Sequence, residues 1–315
     1  MRKETRGSLI LASASVLLAA LARFSPAFCA FYARHFFPLV RSTFFALNRY
    51  APRWPFVASA ALIGLLFLRR PILRGFPARL LLLFSGLLAA FCALWLPLYG
   101  VPERQIGTSC PTLDQARAFV EQLNRSGTLF PEDASALEEW ISRALTAAEE
   151  ALGGRLAAPR AIQGHRLADR LGVAGFYNPL TGQTIVNADD RPLLIPFTIC
   201  HELAHQAGIA REDLANQAAW MLCQHVGGVF ADSAALQMLL YAAQDLSAGA
   251  LESLKADMKE AVRREFVASN GSNSASSGLG QRLFLHLSDA FLRLCGVRRG
   301  AESYKDVLLL IPPCS

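Results

Sequence analysis

Three long apolar runs in the first hundred residues predict helices that cross a membrane. The runs are Ser8–Phe24, Trp54–Leu68 and Arg79–Tyr99. The third is long enough to span a bilayer outright, whereas the first two are near the lower length limit and carry no charge in their interior. A buried core helix is the alternative for a short run, and a secretory signal peptide is the alternative for the first. We predict a membrane anchor over residues 1–100 with three transmembrane helices, at about 8–24, 54–68 and 79–99.

The charge distribution predicts how this anchor is oriented. The chain carries 31 Lys and Arg, and 12 of them lie in the first 79 residues, together with a single acid, Glu4. Arginines are denser before the first run and between the second and third runs than between the first and second. Because basic loops stay on the cytoplasmic side, we expect a multi-pass protein of the cell membrane whose C-terminal part is extracytoplasmic. The basic excess is then a sign of topology, and we expect no nucleic-acid partner.

Residues 101–315 have the pattern of a water-soluble domain, in which helical periodicity is interrupted by turn signals. The predicted elements of its first half are two helices and a hairpin: Leu113–Leu123, Pro131–Leu152, and strands Gly175–Asn178 and Gln183–Asn187 around a Pro-Leu-Thr-Gly turn. Helices predominate after the hairpin. A stretch rich in Ser, Asn and Gly at 269–280 predicts a flexible linker.

The segment PFTICHELAHQAG contains an HExxH motif and predicts a metal-binding helix. His201 and His205 are four residues apart, so on a helix both imidazoles lie on one face and can bind one Zn²⁺ ion. Glu202 can then reach a zinc-bound water as a general base. Proline near the start and glycine after the end predict a helix over Pro196–Ala207. The alternative is an ordinary amphipathic helix that carries two histidines by coincidence.

A catalytic zinc site needs a third protein ligand and an open position for water. The spacing of one class of zinc peptidases would place a histidine where this chain has Arg211, and Glu212 follows. A second helix starting near Ala210 would hold Glu212 in its first turn, from where its carboxylate can reach the metal. Asn216 lies one turn further along and can hydrogen-bond a ligand. Other acids compete with Glu212 for the role: Asp213, Glu252, Glu260 and Glu265.

Two tyrosines are candidates for stabilising negative charge during a reaction. Tyr177 lies in the predicted hairpin and Tyr304 lies near the end of the chain, and either hydroxyl could act as an oxyanion donor. A packing role is the alternative for both. The 7 cysteines include no CxxC pair, which disfavours a cysteine-based zinc ribbon, and their spacing predicts no disulfide.

The sequence resembles a family of bacterial membrane proteins that is known as a domain of unknown function. The resemblance rests on HELAHQAGIAREDLANQAAW, on GFYNPLTGQTIVN and on the closing GAESYKDVLLL. It implies three N-terminal membrane helices followed by a zincin-like domain. More distantly, Glu212 with Ala215 and Asn216 is similar to the Glu-x-x-Ala-Asn/Asp block of gluzincin peptidases, which implies that Glu212 is the third zinc ligand.

These patterns together predict a mainly α protein. N-terminal transmembrane helices precede a zincin-like α+β domain that has a small β-hairpin and an HExxH helix. We expect a membrane-anchored, zinc-dependent metallopeptidase that hydrolyses peptide or protein substrates outside the cytoplasmic membrane. The alternative is a non-catalytic zinc-binding envelope protein that serves as a partner-binding or structural module. An intramembrane protease is disfavoured, because charged residues directly follow the HExxH helix.

Overall fold

Helices form most of the chain in this computed structural model. The structure describes residues 3–51, 76–101, 113–126, 130–131, 133–164, 171–275 and 279–311. The chain divides into two units: Met1–Pro102 together with Asn178–Gln183, and Glu103–Tyr177 together with Thr184–Ser315. The division near residue 102 coincides with the change in composition that the sequence shows.

The first unit is mostly helical where it is described before residue 102. Its elements are α1 (Lys3–Phe24), α2 (Pro26–Phe31), a π-helical segment (Tyr32–Phe36), α3 (Phe37–Tyr50), α4 (Phe76–Leu94) and the short α5 (Leu96–Tyr99). Within α1, Arg6–Phe24 has a mean hydropathy of 1.8 and is long enough to cross a membrane, a property it shares with signal sequences. In the described part of the chain it is the one candidate span.

The prediction of three transmembrane helices is therefore not borne out by the described residues, which hold one candidate span. The run Trp54–Leu68 lies outside the described residues. The run Arg79–Tyr99 is not one helix, because α4 ends at Leu94 and α5 begins at Leu96, and the apolar part of α4, Leu80–Leu94, is shorter than a span. Pro97 explains the break, since proline lacks the N–H that a continuous helix would use and its ring clashes with the preceding turn.

The second unit holds eight α-helices, one 3₁₀ helix and most of the sheet in its described residues. The helices are α6 (Leu113–Arg125), α7 (Leu137–Leu152), α8 (Ile195–Gln206), α9 (Glu212–Val226), α10 (Val229–Ala243), α11 (Ala248–Ala256), α12 (Glu260–Ala275), α13 (Leu279–Leu294) and the 3₁₀ helix Gly300–Leu309. The core lies where α8, α9 and α10 meet α6 and α7. Phe119 of α6 packs edge-on against Trp220 of α9, with ring centroids 5.6 Å apart.

A small mixed sheet lies beside these helices. Strands β1 (Arg160–Ile162), β2 (Gly175–Asn178) and β3 (Gln183–Asn187) are ordered β1-β3-β2, and β1 runs parallel to β3 with Ala161 opposite Val186. The two hairpin strands are confirmed with the predicted bounds. Strand β1 was not predicted, because three residues are too few to show an alternating pattern.

Two predicted boundaries differ from the structure. The helix predicted from Pro131 begins at Leu137, since Asp133 accepts a hydrogen bond from the backbone N–H of Ser135 at 2.9 Å and forms a local turn instead. The linker predicted at 269–280 is helical through Ala275, and α13 begins at Leu279. Phe266 is fully buried and fixes the first half of α12, and elongating a formed helix needs no new nucleus. Residues 276–278 lie outside the described part.

Candidate metal centre

Helix α8 carries the HExxH motif and differs by one residue at each end from the predicted Pro196–Ala207. Pro196 lies in its first turn, where a missing N–H costs nothing. Leu194 at the N-cap offers no side-chain acceptor, and Ser233 of α10 replaces it by accepting a hydrogen bond from the Phe197 N–H at 2.9 Å. The start of the motif helix is therefore held by a residue of another helix.

The end of α8 turns the chain sharply toward α9. The N–H of Gly208 donates to His205 O at 2.9 Å and that of Ile209 to Ala204 O at 3.1 Å, the two bonds of a Schellman motif. Gly208 has φ +106°, a conformation that favours glycine. Helix α9 then begins at Glu212, so this short turn brings Glu212 back to the two histidines.

A buried ion pair fixes the first turn of α9. Arg211 donates from Nε and Nη2 to the two carboxylate oxygens of Asp213, at 3.1 and 2.6 Å. Asp213 is fully buried. Arg211, which occupies the position of the third histidine in one class of zinc peptidases, thus neutralises Asp213, the residue next to Glu212.

Three ligand-type atoms converge between α8 and α9. His201 Nε2 and His205 Nε2 are 3.0 Å apart, and Glu212 Oε2 lies 3.3 Å from each of them. Tetrahedral zinc with bonds of about 2.0–2.1 Å would separate its ligand atoms by about 3.3 Å. The three side chains are nearly buried and could hold a metal ion. The sequence-predicted ligands are therefore brought together, including Glu212.

The hydrogen bonds around the cluster favour a cation over a proton network. His205 Nδ1 lies 2.7 Å from Ile209 O, so this nitrogen carries a hydrogen, and the neutral imidazole would present its Nε2 lone pair to the cluster. Among the described residues, Glu212 Oε2 has no hydrogen-bond partner of good geometry, although it is buried. A metal ion would satisfy these acceptors together, and a carbonyl on the outer nitrogen is the usual way in which a metal-bound histidine is oriented.

Charge interactions within the cluster shift the pKa values of His205 and Glu212. Burial lowers the pKa of His205, but the Glu212 carboxylate outweighs this effect and raises it to about 9. Burial acts to raise the pKa of Glu212, and the charge interaction with the histidines outweighs this and holds it below its ordinary value. Without a cation, Glu212 thus stabilises a proton on His205. A bound metal ion would displace that proton, as expected at histidine ligands.

Glu202 lies beside the cluster and is almost fully buried. Burial raises its pKa, an effect that the two histidines and the Tyr177 backbone N–H oppose. Strand β2 closes over this side chain: a Cβ on Gly175 would lie 2.7 Å from Glu202 Oε1. Its other oxygen, Oε2, has no hydrogen-bond partner in the described part of the chain. Glu202 is therefore a desolvated carboxyl group that could exchange a proton with a group at the cluster.

The remaining predicted residues also lie at the site, but with different contacts from those expected. Asn216 is buried and donates from Nδ2 to Tyr304 O at 3.0 Å and to the Tyr241 hydroxyl at 3.4 Å, rather than to a ligand. The ring of Tyr304 is stacked on His201, with centroids 6.5 Å apart. Tyr177 is buried on β2 and reaches Glu202 through its backbone.

Tyr241 on α10 is a site residue that no sequence motif marks. Burial raises the pKa of its hydroxyl, and the Glu212 charge adds to this effect while the Asn216 hydrogen bond opposes it. A tyrosine on an apolar helix has no local signal, so only the packing of α10 on α9 reveals it.

The acids that competed with Glu212 form ion pairs elsewhere. Asp213 pairs with Arg211, Glu252 with Lys255, Glu260 with Arg263, and Glu265 with Arg191. Within the described residues, no other group of three His, Cys, Asp or Glu side chains converges as His201, His205 and Glu212 do.

Comparison with known proteins assigns the chain to a family. No curated protein and no solved structure matches it. One family model does match, described as "Protein of unknown function (DUF3810)", over residues 76–311. This stretch covers more than half of the chain and includes α4, the sheet and every residue of the site. The chain therefore belongs to the family described as Protein of unknown function (DUF3810).

Proposed function

We propose that the protein is a membrane-anchored, zinc-dependent metallopeptidase that acts on peptide or protein substrates outside the cytoplasmic membrane. One observation carries the proposal: the buried cluster of His201, His205 and Glu212 lies directly beside the buried carboxyl group of Glu202. The apolar helix α1 supports the membrane anchor, and the arginine density of the sequence supports the extracytoplasmic side.

The ligand types favour zinc. Two imidazole nitrogens and one carboxylate oxygen suit zinc, whereas calcium and magnesium prefer oxygen ligands alone. Catalytic zinc sites have three protein ligands and structural sites have four. In the described residues no fourth His, Cys, Asp or Glu joins the cluster. Zinc bound there would act as a Lewis acid toward a carbonyl oxygen and lower the pKa of water in its open position.

The chain's own residues supply the proton transfers. Glu202 accepts a proton from the attacking water and donates it to the leaving amine, and its buried position keeps its pKa within reach of both steps. Strand β2 is at the edge of the sheet, with its backbone against Glu202. An edge strand can hold an extended peptide by strand addition, so β2 is a candidate for positioning the substrate. Tyr177 and Tyr304 remain candidates for an oxyanion donor.

The decisive experiment measures zinc content and hydrolysis in the purified full-length chain. We expect near-stoichiometric zinc in the wild type and in Glu202→Gln, and loss of zinc in His205→Ala and Glu212→Ala. Glu252→Gln is the matched control, because Glu252 is exposed and pairs with Lys255. Cleavage of an unfolded protein substrate should fall by about 10²–10⁴-fold in Glu202→Gln. Turnover that persists in Glu202→Gln, or a folded wild type without zinc affinity, would contradict the proposal.

A non-catalytic zinc-binding role is the second candidate, and one observation favours it. The side chains of His201, His205 and Glu212 are only 10–12% exposed, so the cluster is nearly closed to solvent. A closed site suits a structural metal or an envelope module that binds a partner. Zinc binding without hydrolysis of any peptide library member would favour this role over the peptidase.

A further inference from the structure

We propose that helix α13 (Leu279–Leu294) lies in the interface of a lipid bilayer, with one apolar face among the acyl chains. This surface is separate from the metal cluster. It would make the second unit a peripheral membrane domain in addition to the anchor that α1 provides.

Helix α13 presents a continuous apolar stripe. Four large, exposed side chains are spaced three or four residues apart, and Phe284 beside the first of them widens the stripe. The stripe consists of Leu283, Phe284, Leu287, Phe291 and Leu294. Leu287 is 60% exposed and Leu294 is 86% exposed. Contiguous exposed apolar surface marks a protein or membrane interaction site rather than an ordinary soluble face.

The opposite side of the helix faces the protein. Gln281 and Leu292 are buried there, and they attach α13 to the second unit. The apolar stripe is therefore not part of the local core, because the helix packs against the second unit through a separate face. Leu285 belongs to this side, although it is 52% exposed.

Positive charge flanks the stripe. Arg282 and Arg293 lie on one edge of the helix, and Arg298 and Arg299 follow four and five residues after its end. The acids of this region are Asp289, Glu302 and Asp306, which hydrogen-bond or pair with Arg293 and Arg299. In the described residues Arg282 and Arg298 lie outside these ion pairs. An apolar face of Leu and Phe with such arginines beside it is the composition of an interfacial helix, in which guanidinium groups reach lipid phosphates.

A bilayer suits this face better than a protein partner does. The stripe is one helix wide and convex, whereas helix-binding protein sites are grooves that enclose the helix. The same chain carries α1, which is long and apolar enough to cross a membrane. A chain held at a membrane meets lipid at a high effective concentration, so even weak interfacial affinity is sufficient to keep α13 bound.

Tryptophan fluorescence in proteoliposomes tests the proposal. The full-length chain is reconstituted as Leu287→Trp and, as the matched control, as Leu285→Trp, which replaces an exposed leucine on the opposite side of the same helix. The emission added over the parent chain is measured in vesicles of phosphatidylcholine with and without brominated acyl chains. We expect a blue shift and loss of most of the added emission for Leu287→Trp, and little quenching for Leu285→Trp.

Other outcomes would overturn the assignment. If neither added tryptophan is quenched, α13 does not contact lipid. If Leu287→Trp is blue-shifted but unquenched, and the shift depends on the protein-to-lipid ratio, the stripe binds a second copy of the chain. Equal quenching of both variants would show local unfolding into the lipid rather than a docked helix. Circular dichroism and the melting temperature of each variant, compared with those of the parent, verify that the fold is retained.

Discussion

Replacing Gly208 with alanine should weaken metal binding without touching a ligand. Gly208 has φ +106°, and an L-residue in this region costs roughly 1–2 kcal/mol. Relief of that strain would move the next residue, Ile209, whose carbonyl oxygen lies 2.7 Å from His205 Nδ1. Losing such an outer contact typically reduces metal affinity by about 10–100-fold, equivalent to roughly 1.4–2.8 kcal/mol. We therefore expect Gly208→Ala to lower both the melting temperature and the zinc affinity.

A second glycine separates these two effects. Gly227 follows α9 with φ +70°, and no atom lies within 4 Å of the position that its Cβ would occupy. Gly227→Ala should therefore cost roughly 1–3 kcal/mol of backbone strain at the far end of α9 from Glu212. Zinc dissociation constants are measured by chelator competition on both full-length variants, alongside thermal unfolding in the presence of chelator. If the two variants lose equal stability and equal zinc affinity, the Ile209 carbonyl does not position His205, and the reasoning fails.

Three further changes test the surroundings of the site. Gly175→Ala should reduce hydrolysis while zinc content stays unchanged, because the new Cβ would lie 2.7 Å from Glu202 Oε1; paired metal and activity assays verify it. Arg211→Ala should destabilise the fold by about 3–5 kcal/mol, since it leaves the fully buried Asp213 without its partner, a loss that denaturant titration measures. Burial raises the pKa of Asp232 to about 6, so its ionisation in the folded state costs stability as pH rises from about 4 to 6. Asp232→Asn should therefore stabilise the protein by roughly 1–3 kcal/mol above pH 6 and have no such effect below pH 4. Melting temperatures measured across this pH range would show the difference.

The site was predictable where its determinants are local. Helix α8 follows from proline, glycine and the spacing of His201 and His205, and the hairpin follows from a turn between two short alternating segments. The contacts of Asn216 were not predictable, because its partners Tyr241 and Tyr304 lie on elements far away in sequence. The same is true of Ser233, which caps α8 from another helix.

Predictions failed where a single residue outweighed the average of a segment. The run Arg79–Tyr99 is apolar enough for a span, but Pro97 divides it into α4 and α5. Hydropathy adds contributions over a window and does not register such a break. In the stretch after Ser269 a helix is present where none was predicted. Its composition predicts a linker, but the buried Phe266 upstream fixes a helix that continues through Ala275.

Glu212 shows how a short connection can bring a carboxylate to two histidines. Helices α8 and α9 are separated by residues 207–211, and the Schellman turn at Gly208 reverses the chain within that distance. Glu212 is then the first residue of α9, where the helix dipole stabilises a carboxylate. The ion pair of Arg211 with Asp213 neutralises the acid next to Glu212. A longer connection would have to fix the same carboxylate at a greater cost in conformational entropy, which is why a gap of six residues between His205 and Glu212 is compatible with a metal site.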